Sequence, residues 1–185
     1  MAGFGGQGIL FAGHVLAEAA NVEGREVLWI PSYGPEMRGG TASCTVIVGD
    51  EPIGSPVVDW ADAVIVMNPP SLDKFGPLVR PGGLLIVNAS LIEAASGRDD
   101  IDELRVPCVD VAGPGADERL GSVVALGVLV ERLGIVAPTA VRAALASIVG
   151  PRHPEIVEAD LAAFEAGRGA ASHSVDGRRP MEVPG

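Results

Sequence analysis

The sequence predicts an α/β domain on a mostly parallel sheet, and three observations carry that expectation. Residues 63–67 (AVIVM) and 84–87 (LLIV) are continuous apolar runs, as strands buried on both faces require. Ala/Leu-rich helical segments precede and follow them, and Gly, Pro and Asn mark the junctions. The chain of 185 residues is 48% hydrophobic with 25 Gly and few aromatics, long enough for one substantial core of small aliphatic side chains.

In chain order, residues 1–8 (MAGFGGQG) form a glycine-rich loop in which Gly3, Gly5 and Gly8 fit the GxGxxG spacing. The loop has almost no chain before it, so a strand feeding it is expected to be missing. Residues 9–20 read as an amphipathic helix closed by Gly24, and 25–30 (REVLWI) as a strand. Residues 41–48 (TASCTVIV) are strand-like, with a turn at Gly49-Asp50, and 53–56 read as a short antiparallel return. After the strand at 63–67, residues 71–79 predict a short helix capped by Ser71. The strand at 84–87 ends at Asn88, and 106–111 (VPCVDV) read as the last strand. Three helices follow, at 116–133, 138–149 and 154–166, two of them opened by Pro138 and Pro154. Residues 168–185 are aperiodic and rich in Gly, Ser, Arg and Pro, which predicts a disordered tail.

The formal net charge of −11, with no basic stripe, argues against nucleic acid as a partner. No apolar stretch reaches the ~18–20 residues of a membrane span, and no signal peptide is visible, so a cytoplasmic location and no membrane partner are expected. Cys44 and Cys108 lie far apart in apolar runs, and His14, His153 and His173 are scattered. Neither set has metal-ligand spacing, so no metal is expected on this chain and the thiols read as buried hydrophobes.

The chemistry concentrates in residues 33–40 (YGPEMRGG). This stretch holds the only Tyr, with Tyr33, Glu36, Arg38, Gly39 and Gly40 in one punctuated loop. An arginine can grip a phosphate or carboxylate in bidentate fashion, and the paired glycines can bring N–H donors beside it. A surface turn with a weak Glu–Arg ion pair is the plain alternative. The glycine loop, with Gly5, Gly6, Gln7 and Gly8, aims free N–H groups and a helix N-terminus at whatever approaches, which suits an anion. A dinucleotide site would also need an acidic residue ending the second strand, where Pro31-Ser32 stand instead. Asn68 and Asn88 end two strands on the edge where open α/β sheets bind ligands, or else make only local backbone hydrogen bonds. No complete catalytic constellation occurs anywhere in the chain, so no residue is assigned as catalytic on this chain alone.

Several of these segments resemble one family. GFGGQGI at 3–9, SYGPEMRGG at 32–40, TASCTVIV at 41–48, IGSPVV at 53–58, MNPPSLDKF at 67–75 and PGGLLIVNASLI at 81–92 are similar to the gamma subunit of 2-oxoacid:ferredoxin oxidoreductases, closest in pattern to the 2-oxoglutarate type. The resemblance spans residues 1–167 as one pyruvate/ketoisovalerate oxidoreductase gamma-type domain. It implies a Rossmann-like three-layer α/β/α fold with C-terminal helices. It also implies a multi-subunit enzyme that decarboxylates a 2-oxoacid, forms an acyl-CoA and reduces ferredoxin. Alpha, beta and ferredoxin-like delta subunits are the implied partners. Thiamine diphosphate, Mg and iron–sulfur clusters would sit on those other subunits, and this chain would border the coenzyme A side. Gly5, Gly6, Gln7, Gly8, Tyr33, Glu36, Arg38, Gly39, Gly40, Asn68 and Asn88 become candidates for that side or for a subunit interface. The competing expectation is a free-standing nucleotide-binding protein.

Overall fold

The computed structural model describes residues 1–34, 40–150 and 153–173. Six strands form one sheet: β1 (Ala2–Phe4), β2 (Glu26–Tyr33), β3 (Thr41–Gly49), β4 (Ala61–Val66), β5 (Val79–Asn88) and β6 (Asp102–Val106). The helices are α1 (Ile9–Val22), α2 (Pro69–Phe75), the short α3 (Cys108–Val111), α4 (Glu118–Leu133), α5 (Pro138–Ile148) and α6 (Pro154–His173). A single 3-10 turn, Gly76–Leu78, follows α2.

The strand order is β2-β3-β1-β4-β5-β6. Strands β1, β4, β5 and β6 pair in parallel, whereas β3 opposes both β1 and β2, so β3 alone runs backwards. The expected mostly parallel α/β sheet is therefore present. Alternating side chains of its central strands feed two cores. Ile65, Met67, Leu84 and Ile86 pack with the apolar faces of α1, α4, α5 and α6. Val64, Val66, Leu85 and Val87 pack with Leu72 of α2 and with Ile92 and Ile101.

Five local expectations are corrected. The strand feeding the glycine loop is not missing: Ala2, Gly3 and Phe4 form β1 in the middle of the sheet, bonded to β3 on one side and β4 on the other. Three residues suffice because both neighbours already exist to receive their backbone groups. Residues 53–56 form no strand; Ser55 Oγ instead accepts the Val57 N–H, a local turn that competes with a ladder. Asn68, not Ser71, caps α2: its Oδ1 accepts the Ser71 N–H at 2.9 Å, and Pro69 and Pro70 fill the first turn. The last strand ends at Val106, because Pro107 has no N–H for the ladder, and 108–111 turn into α3. Finally, α6 runs on to His173, so the first residues of the expected tail are helical.

The continuation of α6 has a packing cause. A Cβ on Gly167 would strike the Val124 carbonyl, and one on Gly127 would strike the Phe164 carbonyl. The two glycines let α4 and α6 touch backbone to backbone. Loop-like residues in the sequence are thus contact residues in the helix pair.

Candidate functional site

The chain leaves β1 toward α1, β2 and β3 on one side of the sheet, then crosses to β4 on the other. Ligands of open α/β sheets bind where the strand order reverses in this way, at the carboxyl ends of the strands. An open groove of about 690 Å³ lies there, between the glycine loop, the first turn of α1 and the base of the β2–β3 hairpin. Gly5, Gly6, Gly8, Tyr33 and Gly40 line it together, and Arg119 closes it from α4.

The hairpin explains the convergence. Pairing of β2 with β3 runs from Glu26↔Gly49 to Tyr33↔Ala42, which carries the ends of residues 34–40 to the glycine loop. Pro31 is tolerated inside β2 because that strand is an edge. The Gly34 N–H donates to Thr41 O at 2.8 Å, and the Gly5 N–H donates to Gly40 O at 2.9 Å, which ties the two loops together. Tyr33 is 73% exposed at this rim. Glu36, Arg38 and Gly39 lie outside the described residues.

The glycine pattern has packing reasons as well as electrostatic ones. A Cβ on Gly3 would meet Gln7 Oε1 at 2.7 Å, and Gly8, at φ 75°, lets the start of α4 close on the loop at Arg119 O and Ser122 Oγ. Gly8 also begins α1, which has no side-chain cap and no acidic residue in its first turn. The first-turn N–H groups of that helix therefore have no side-chain partner, a natural place for an anion.

Gln7, Asn68 and Asn88 are not in the groove. Gln7 is buried, and its Oε1 accepts the Phe4 N–H at 2.8 Å and the Asn68 amide at 3.4 Å. This pair links the ends of β1 and β4. Asn88 Oδ1 accepts from the N–H groups of Ser90 and Cys108 and holds the turn after β5 to α3. Both asparagines use Oδ1 for nearby backbone N–H groups, and Asn68 also reaches the Gln7 side chain.

Arg119 is the groove residue that sequence reasoning passed over. Its Nη1 forms an ion pair with Asp160 Oδ1 at 2.8 Å, and its guanidinium sits 5.1 Å from the centroid of the Phe11 ring. Asp160 has no exposed surface, and burial pushes its carboxyl above the usual range while Arg119 pulls the other way. A signal was available: an arginine in the first turn of a helix opposes the helix dipole and calls for a reason. The two thiols are buried. Burial pushes Cys44 up and raises Cys108 to about 12. Among the described residues no cluster of three His, Cys, Asp or Glu could hold a metal, and no helix is long and apolar enough to cross a membrane.

Comparison with known proteins gives consistent matches. A family model described as "Pyruvate ferredoxin/flavodoxin oxidoreductase" matches residues 1–170. Ketoisovalerate oxidoreductase subunit VorA of Methanothermobacter thermautotrophicus is 36% identical over 96% of this chain, but only 37% of that protein is covered. The chain thus spans little more than a third of that relative's length. 2-Oxoglutarate synthase subunit KorC of Methanothermobacter marburgensis is 34% identical, with 91% of this chain and 92% of the relative covered. Among solved structures, the gamma subunit of a keto/oxoacid ferredoxin oxidoreductase from Geobacter sulfurreducens superposes with a TM-score of 0.79 at 29% identity, covering 94% of this chain and 96% of that one. The resemblance read from the sequence motifs is borne out, and so is the α/β fold that it implied.

Proposed function

The chain belongs to the pyruvate ferredoxin/flavodoxin oxidoreductase family, and on that premise we propose that it is the gamma subunit of a multi-subunit 2-oxoacid:ferredoxin oxidoreductase. The observation that carries the reading is the match to KorC over 92% of that subunit's length, joined to a groove whose described residues include no nucleophile and base pair. A surface that binds without reacting suits a subunit completing a site on its neighbours. The reaction proposed is oxidative decarboxylation of a 2-oxoacid to an acyl-CoA, with ferredoxin as electron acceptor. We take 2-oxoglutarate as the substrate because two relatives of 34% and 35% identity, each matched over about nine-tenths of its length, are 2-oxoglutarate synthase subunits.

In this reading alpha, beta and delta subunits carry the thiamine diphosphate, Mg and iron–sulfur clusters. The two cysteines here are buried in separate elements and do not suit cluster ligation. Coenzyme A fits the groove in the chemistry of its donors: the uncapped start of α1 and Arg119 are suited to its phosphates. Coenzyme A would supply the thiol that accepts the acyl group. Gly5, Gly6, Gly8, Tyr33 and Gly40, together with Glu36, Arg38 and Gly39, are the proposed contacts to it or to the neighbouring subunit. A cytoplasmic site of action belongs to the same proposal.

The test is co-expression with candidate alpha, beta and delta chains from the same genome, followed by assay of ferredoxin reduction. The expected result is one complex that turns over 2-oxoglutarate with coenzyme A faster than pyruvate or 3-methyl-2-oxobutanoate. Recovery of this chain as a stable monomer that never associates would overturn the reading. Tight binding of NAD by the isolated chain would favour the free-standing nucleotide-binding alternative motivated by GxGxxG.

A further inference from the structure

β1 is only three residues long, whereas β3 has nine and β4 has six. Its ladder covers Thr41, Ala42 and Ser43 of β3 and Val66 alone of β4. Beyond Met1 the rest of β3 and β4 flank a cleft of about 270 Å³, with no strand between them among the described residues. The hydrogen bonds at its upper end show which backbone groups face it. The Cys44 N–H donates to Met1 O, and the Met1 ammonium donates to Cys44 O, both at 2.9 Å. Alternate residues of a strand direct their backbone groups to the same side, so Val46 and Val48 aim theirs into the cleft. On β4 the Met67 N–H donates to Ala2 O, so Ile65 and Ala63 aim their N–H groups the same way. No described residue pairs with Val46, Val48 or Ala63 on that side.

Two facing rows of unpaired main-chain groups inside a sheet are costly unless something pairs with them. The walls are otherwise apolar: Leu16 and Leu129 line the cleft from the helical side, and Trp60 and Phe75 from the other. Val58, Trp60 and Leu78 stand exposed around it. The Met1 ammonium closes the upper end, where burial pushes it below its ordinary range. We propose that this cleft is a strand slot, filled in the working protein by an extended segment of the same polypeptide that continues β1 upstream of Met1. The Met1–Cys44 pair sets its direction, antiparallel to β3 and parallel to β4. The run of β3 from Thr45 to Val48 sets its length, about four residues at a rise of ~3.3 Å each. Both walls being apolar, its side chains are aliphatic or β-branched on both faces. A continuous chain also turns the Met1 ammonium into an amide N–H that still donates to Cys44 O, without a buried charge. A strand from a second polypeptide would leave that charge in place and would have to end or turn aside against it.

Two measurements test the slot. The first is the intact mass and N-terminal sequence of the protein isolated from the cells that make it. A chain extended by about four residues or more ahead of Met1 is expected. A native chain that starts at Met1 or Ala2 would overturn the inference. The second compares the 185-residue chain with one carrying Thr-Val-Thr-Val before Met1 and one carrying Thr-Pro-Thr-Pro, whose prolines cannot donate to a ladder. The Thr-Val extension is expected to raise the melting temperature by roughly 3 °C or more and to slow amide exchange at Val46, Val48 and Ala63 by at least about tenfold. The Thr-Pro extension should do neither. Equal melting temperatures and equal exchange in all three chains would overturn the slot itself. Protection of those amides in the 185-residue chain only after partner subunits are added would assign the slot to a second polypeptide and overturn the single-chain occupant.

Discussion

The two faces of the sheet are covered by different means. On one, α1, α4, α5 and α6 bury Ile65, Met67, Leu84 and Ile86 in a large aliphatic core. On the other, only α2 and the irregular segment 89–101 lie over Val64, Val66, Leu85 and Val87. The helical face is closed by backbone contact between helices. The thin face is closed by arginines whose donations to carbonyl oxygens tie the irregular segment to the sheet. Arg105 donates to Ile92 O and Ala94 O at 2.6 Å, and Arg98 donates to Val79 O at 2.6 Å. Glu103 Oε2 accepts from both the Ser96 N–H and its hydroxyl. Where no helix offers a regular ladder, side chains must satisfy the backbone one group at a time. The comparison teaches that the same sheet tolerates two currencies of closure, one of packing and one of hydrogen bonds.

The sharpest way to break the helical face is to add one methyl group. Gly167→Ala places a Cβ against the Val124 carbonyl, and Gly127→Ala places one against the Phe164 carbonyl. Neither obstacle is a flexible side-chain end, so α4 and α6 must separate. Each substitution should cost about 3 kcal/mol or more in urea unfolding, at the upper end for overpacking. A loss below 1 kcal/mol would show that the helix pair is looser than its glycines indicate.

On the thin face the largest single effect should come from Arg105→Ala. It removes three hydrogen bonds to main-chain carbonyls, those of Ile92, Glu93 and Ala94, from a guanidinium that is 31% exposed. Partial solvent access limits the expected loss to about 1–2 kcal/mol. Hydrogen exchange should quicken in 89–101 and remain unchanged in α4 and α6, since the two faces share no side chain there. Asn68→Ala comes next, at about 1 kcal/mol, because it removes the cap of α2 and the amide donor to Gln7.

The sequence made the thick face far more legible than the thin one. Continuous apolar runs and long helices carry period and length, so β4, β5, α4 and α5 were readable from residues alone. The order of strands was not readable, because placing β3 backwards between β1 and β2 depends on pairing across the chain. β1 was misjudged because three residues hold no periodic signal. The strand expected at 106–111 failed at Pro107, a breaker inside an apolar run. At the site, the glycines and Tyr33 were legible as local punctuation, whereas Arg119 and Asp160 meet only through the packing of α4 on α6. A residue 41 positions away along the chain leaves no local trace of that pairing.

The smallest expected effect marks the limit of the thin face. Trp60 is 59% exposed just before β4, and Val58, Phe75 and Leu78 border the same cleft of about 270 Å³. A large ring with that much surface in water contributes little to the folded state, because removing it exposes no core and leaves no sealed cavity. Trp60→Ser should therefore change unfolding free energy by no more than about 0.5 kcal/mol. Val66, fully buried on the same face, is the internal contrast: Val66→Ala opens a cavity beneath Leu72 and should cost several times as much. If the two substitutions cost the same, Trp60 is packed in solution and the thin face is closed more completely than its exposed side chains indicate.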